Sequence, residues 1–198
     1  MPVAKGASLD PARTRAEILG WAAELLYAHG LDGIGVAELC ARAGVSKETL
    51  YRHFGSKDGL VQAVLEARSD RLVRALAEGV ARAGGDPERQ LAAVFDTLRG
   101  RHDAPAFRGC AVVNAAVQHR EGPAYGIAVR HLGRYRELLT GIAARAGVAE
   151  PAVLGAQFLL LMEGATVVAG HGGDDTGPGP AERAKSAALT LLRAAPRD

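Results

Sequence analysis

Apolar residues recur along this chain at three- and four-residue intervals, the spacing that gathers them on one side of an α-helix, and alternating β-branched runs are absent. Ala, Leu, Arg and Glu dominate every long segment, so the expected class is all-α with about nine helices. Asp10-Pro11 supplies an N-cap and a first helical residue, and Ile18, Trp21, Ala22, Leu25 and Leu26 then repeat at helical spacing until Gly30 stops them. A short second helix is expected from Val36 to Ala43, with Leu39 and Cys40 buried and Gly44 closing it as a left-handed cap. Ser46 caps a third helix that runs to Phe54 and breaks at Gly55. Ser56 begins a long fourth helix whose stripe of Leu60, Val61, Val64, Leu65, Leu72, Val73 and Leu76 continues to Gly84-Gly85.

Beyond that break, Asp86-Pro87 opens a fifth helix ending near Gly100, and further helices are expected at 110–120, 123–146 and 151–170. The Gly-, Pro- and Asp-rich stretch 171–180 reads as loop, and a last helix over 181–194 turns Ala187, Ala188, Leu191 and Leu192 inward. Segment 151–170 is long enough to span a bilayer, but Gln157 and Glu163 lie inside it, and a central acidic residue costs about 2.5–3.5 kcal/mol there. The expected place for it is the interior of a soluble helical bundle, with no membrane involved.

At 198 residues, 48% hydrophobic and 23% charged, the chain can form one large domain or two small ones. A formal net charge of only +2 argues against nucleic-acid binding over the whole surface and leaves room for a local basic patch. Cys40 and Cys110 match no zinc or CxxC spacing and read as reduced thiols, and no apolar run follows the N-terminal lysine, so a cytoplasmic protein is expected.

Two short helices joined by a glycine turn have the geometry of a helix-turn-helix, whose second helix enters the major groove of DNA. At about 100° per residue, Leu50 and Phe54 share a face and, with Val45, point back at the first two helices. Glu48, Thr49, Tyr51 and Arg52 fan across the other side, with Lys47 and His53 at the rim. An aromatic, a hydroxyl, a guanidinium and flanking cations can bond phosphates or base edges. Ser46 and Ser56 each start a helix, and helix N-termini attract phosphate; a phosphate nearby also accounts for Lys57, a cation in a first turn that otherwise disfavours it. Glu48 is four residues before Arg52, so it either holds the guanidinium by a helical ion pair or accepts a hydrogen bond from a cytosine N4 itself.

The segment "GIGVAELCARAGVSKETLYRHFGSKDGLVQAVL", residues 33–65, resembles the DNA-binding segment of the TetR family of bacterial transcriptional regulators through the elements AxxAGVSxxTLYxHFxSKxxL. Relatives often hold a small or neutral residue at the position of Glu48, and commonly a Ser or Thr where Gly35 precedes the second helix. The resemblance implies DNA contacts at Ser46, Lys47, Thr49, Tyr51 and His53, with Lys57 on the backbone, and Glu48 and Arg52 complete the expected reading surface. It also implies a homodimer on a palindromic double-stranded operator and repression relieved by a small-molecule effector bound in the C-terminal domain. "GCAVVNAA" resembles a motif of one subset of the family. The implied division is an N-terminal arm over 1–10, a DNA-binding domain over 11–58 and an effector-binding and dimerisation domain over 59–198.

In the C-terminal half, Phe107, Cys110, Asn114, Tyr125, Phe158 and Met162 are the expected effector contacts, apolar walls with a few polar groups. Cys110 has no cationic sequence neighbour beyond Arg108 that would make it a redox sensor. The helix at 151–170 is apolar nearly all round, so it should be buried on more than one side, against its own domain and across a twofold axis with the last helix. Leu160, Leu161, Gly164 and Leu191 are the expected dimer contacts, with Gly155, Gly164 and Ala165 allowing close approach. An enzyme is the rival reading, but no HExxH, GxSxG, P-loop or dinucleotide fingerprint is present, and Asn114, His119 and Glu121 share no face with a nucleophile. No metal or cofactor is expected. A DNA-binding dimer without an effector is the second rival.

Overall fold

The computed structural model describes residues 10–31, 33–118, 120–172 and 177–197. The expected N-terminal arm before Asp10, His119 and the centre of the 171–180 loop lie outside these. Among the described residues the structure is nine α-helices with no strand, and the chain divides into two compact units, one ending at Arg68 and the other beginning at Ser69.

The first unit holds α1 (Pro11–His29), α2 (Val36–Ala43), α3 (Lys47–Phe54) and the start of α4 (Lys57–Arg82). The caps follow the local sequence. Asp10 accepts a hydrogen bond from the Ala12 amide at 3.0 Å, and Ser46 and Ser56 accept from the Thr49 and Gly59 amides at 3.1 and 3.0 Å. The stripe of α1 buries Ile18, Ala22, Leu25 and Leu26 against a core that includes Ile34, Leu39, Leu50 and Leu60. A Leu sealed as completely as Leu50 contributes about 1.5–3 kcal/mol relative to exposure. Trp21 departs from its expected place inside this stripe: it falls at the stripe's edge and is 45% exposed.

The second unit continues with α4 and adds α5 (Pro87–His102), α6 (Ala111–Gln118), α7 (Pro123–Arg145), α8 (Pro151–Gly170) and α9 (Pro180–Ala194). Helix α5 passes through Gly100 and stops at Asp103, because an interior glycine weakens a helix without ending it. Leu91, Val94, Phe95 and Leu98 of α5, Tyr135, Leu139 and Ile142 of α7, Phe158 and Met162 of α8, and Leu192 of α9 form the core. Helices α5 and α9 are also joined at the surface, by Arg193–Glu88 at 2.7 Å and Lys185–Asp96 at 3.0 Å.

Helix α8 corrects the expected roles of Gly155 and Ala165. Within this chain it buries one side only, Leu154, Gly155, Phe158, Met162, Ala165 and Thr166, and leaves Val153, Leu160, Val167 and Val168 exposed. Gly155 serves close approach, but to α7 of its own chain: a β-carbon there would come within 2.8 Å of the Thr140 backbone. Ala165 likewise faces inward, at 6% exposure, whereas Gly164 faces open space.

Candidate nucleic-acid interface

Helix α2 ends at Gly44, whose φ of 65° and ψ of 28° reverse the chain in the left-handed region, with the Val45 amide bonded to the Cys40 carbonyl at 3.0 Å. Two residues later Ser46 starts α3, and its hydroxyl also shares a 3.0 Å hydrogen bond with the Thr49 hydroxyl. Leu50 is fully buried and anchors the helix, so the opposite face is presented outward.

That outward face carries Tyr51, 43% exposed, with Lys47, Glu48 and Arg52 exposed beside it. Thr49 and His53 are half-buried at its edges. The Arg52 guanidinium donates to the Glu48 carboxylate at 2.8 Å, which fixes the direction of a side chain otherwise free in water. Gly55, at a φ of 74°, turns the chain from α3 into α4, where Ser56 caps and Lys57 occupies the first helical position. Two helix N-termini, each led by a serine and a lysine, therefore stand close in sequence on either side of the exposed face, an arrangement suited to gripping phosphates around a groove-reading helix.

The expected effector residues do not assemble into one group. Cys110, Phe158 and Met162 are buried in the second unit, and Phe107 is half-buried with its ring centroid 4.8 Å from that of His102. Asn114 is exposed and donates to the Arg108 carbonyl at 2.8 Å. Tyr125 is 53% exposed over a surface hollow with Val113, Val117 and Val129, because the inward stripe of α7 runs through Ala124, Ile127, Ala128, His131 and Tyr135 and leaves position 125 outside it.

What the interior gathers is polar. His131 is fully buried, its Nδ1 2.9 Å from the Ser69 hydroxyl and its Nε2 3.7 Å from the Cys110 sulfur. Arg134 donates to Asp70 at 2.6 Å and to Ser69 at 3.4 Å, so a chain of donors from Arg134 through Ser69 to His131 suits a neutral ring that points its remaining N–H at the thiol. Burial, aided by the cations Arg101 and Arg134, pushes the His131 pKa down to about 4. Burial raises the Cys110 thiol, a shift that favours its protonated form. The Tyr135 ring lies 4.3 Å from that of His131, and its hydroxyl is raised above the usual phenol range by burial, with Arg101, Cys110 and Glu163 all bearing on it. Sequence reasoning missed Ser69, Arg101, His131, Tyr135 and Glu163. The helical period could place His131 and Tyr135 inward; their partners come from distant helices.

The four expected dimer residues lie on the exposed side of α8 and α9. Leu160 is 75% exposed, Leu161 half-buried and Gly164 exposed, along one apolar hollow with Val168 and Ala187. Leu191, 37% exposed, borders a separate hollow with Val153 and Gln157.

The all-helical fold and the capped, outward-facing α3 define a helix-turn-helix protein of the DNA-binding class. Residues 18–64 match the model of the bacterial regulatory proteins of the tetR family. The chain is 31% identical over 146 residues to an uncharacterised HTH-type transcriptional regulator of Mycobacterium bovis, covering 72% of this chain and 70% of that one. It is 35% identical over 107 residues to the HTH-type transcriptional activator FasR of Mycolicibacterium smegmatis, a match spanning 52% of this chain and only 48% of FasR. The crystal structure of a TetR-type transcriptional regulator from Streptomyces avermitilis superposes with a TM-score of 0.74 at 32% identity, covering 93% of this chain and 99% of that chain. The chain belongs to the TetR family of bacterial transcriptional regulators. These relatives are regulators of transcription.

Proposed function

We propose that the chain is a cytoplasmic homodimeric repressor that grips a palindromic operator and is released by a small-molecule effector. In this reading residues 11–58 read DNA, through Ser46, Lys47, Glu48, Thr49, Tyr51, Arg52, His53 and Lys57, and residues 59–198 dimerise and bind the effector. The observation that carries DNA reading is the outward face of α3 between two serine-capped helix starts. The exposed apolar side of α8, with Leu160 at its centre, supports a second copy of the chain as its cover.

Selection of bound sites from random DNA tests the first part: twofold symmetry requires matching half-sites about 34–36 Å apart, or a multiple of that. Affinity for the selected site should fall steeply with salt, and an affinity flat between low and moderate salt would overturn the phosphate contacts. Light scattering tests the second part, since Leu160→Arg should convert dimers to monomers, and an unchanged dimer mass would move the interface elsewhere. A reporter fused to the selected site decides the sign of regulation; the relative FasR is an activator, so both signs are scored.

A further inference from the structure

The interior of the second unit contains a polar group with no partner. The Tyr135 hydroxyl, on a residue only 2% exposed, makes no hydrogen bond of good geometry and has only the Arg101 side chain near enough to donate to it, and Nδ1 of His102 is buried and unpaired. A buried hydroxyl left unsatisfied costs about 1–3 kcal/mol, so a core retains one at a loss unless something else completes it. Tyr135 stands beside His131 on α7; His102 stands at the end of α5, its Nε2 3.4 Å from the Thr166 hydroxyl of α8 and its ring tilted by 42° against that of Phe107. Arg101, next to His102, acts electrostatically on Cys110, His131, Tyr135 and Glu163 together, and among the described residues its guanidinium has no ion-pair partner.

We propose that this cluster is the effector site and that it takes an organic carboxylate, its oxygens held by Arg101 and the Tyr135 hydroxyl and its apolar body lying against the His102–Phe107 ring pair and Met162. The assignment rests on the effector-controlled reading given above and narrows it to one ligand chemistry. A guanidinium can only donate, and the phenol, raised above its usual range, is a donor with its proton in place. An acceptor with a negative charge satisfies both, whereas an amine would meet the Arg101 cation. Glu163 is the acidic group that Arg101 acts on, and burial pushes its carboxyl up more than Arg101 draws it down.

The test is calorimetry on the full-length protein with hexanoate and benzoate, set against 1-hexanol, benzyl alcohol and hexylamine, with release of the selected DNA site as a parallel readout. The acids should bind at least about tenfold tighter than their alcohols, as a charge-assisted bidentate contact requires. Arg101→Gln should abolish that preference. Tyr135→Phe, which removes no hydrogen bond of good geometry from the free protein, should weaken acid binding several-fold while the melting temperature stays level or rises; it keeps the test open if Arg101→Gln does not fold. Equal affinity for acid and alcohol, tighter binding of the amine, or no binding of any acid overturns the carboxylate assignment. If an alcohol or amine binds and releases DNA, effector control survives without the carboxylate. If a chemically broad metabolite panel also releases no DNA, effector control falls too.

Discussion

Both units of this protein bury apolar side chains, but the second also seals a polar cluster inside. In the first, Ile18, Leu39, Leu50 and Leu60 form an apolar interior, and the chemically versatile groups, from Lys47 to Lys57, stand outside in water. In the second, Ser69, His131 and Tyr135 are sealed inside, while Val153, Leu160, Val167 and Val168 face out. In the proposed function each arrangement suits a different kind of partner. A polyanion as large as a duplex is met by an exterior surface, rigid because a few buried leucines hold it. A small molecule is met by polar groups kept out of water, where each hydrogen bond and charge is worth more and each unmet one costs more.

The comparison breaks most readily at Leu50. Leu50→Ala should destabilise the first unit by about 2–5 kcal/mol, read from denaturant unfolding, and abolish operator binding without altering any base-contacting residue. An unfolding midpoint within error of the parent would mean that α3 is not anchored by its buried face.

A second measurement probes the sealed polar interior. The folded-state pKa of His131, about 4, lies below the unfolded value of about 6.5, so the unfolded chain binds the extra proton between them. The contribution is therefore fully present above about pH 6.5 and lost as pH falls through 4, on the order of 3 kcal/mol at about 1.4 kcal/mol per pKa unit. His131→Gln cannot titrate, so the stability difference between parent and variant should shift by that amount between pH 7 and pH 4. A difference independent of pH would show that the ring is not sealed from water.

The smallest effect is expected at the Glu48–Arg52 pair, both side chains more than half exposed. Glu48→Ala should change stability by less than about 0.5 kcal/mol, as exposed helical pairs do. It should weaken operator binding a few-fold with the preferred sequence unchanged, because the carboxylate only fixes the direction of Arg52. Relaxed discrimination at a single C·G pair in the selected sites would instead give Glu48 a base contact of its own.

The same contrast explains what was legible from sequence. Every feature of α3 depends on residues within a few positions: Ser46 caps Thr49, Glu48 reaches Arg52, and Gly44 and Gly55 bound the helix. Local rules of capping and period suffice there, and the helix boundaries elsewhere follow from the same Asp-Pro and Gly signals. The interior cluster joins Ser69 to His131 across 62 positions and His102 to Thr166 across 64. No local rule sees such pairs. Tyr125 illustrates the cost, since an aromatic near a helix start reads equally as wall or surface until the phase of α7 is fixed by His131 and Tyr135. The inward side of α8 was not legible for a different reason: its composition is apolar all round, so periodicity carries no information about which side this chain covers.

Trp21 is the single tryptophan of the chain and sits on α1, half in water. The protein thereby carries one indole, confined to the DNA-reading unit, whose emission can be excited apart from that of its tyrosines. Quenching and anisotropy of its emission follow that unit alone during denaturation or DNA titration, without an added dye, and a ligand that alters this signal without DNA present has made its arrival known at a distance in sequence from where it binds.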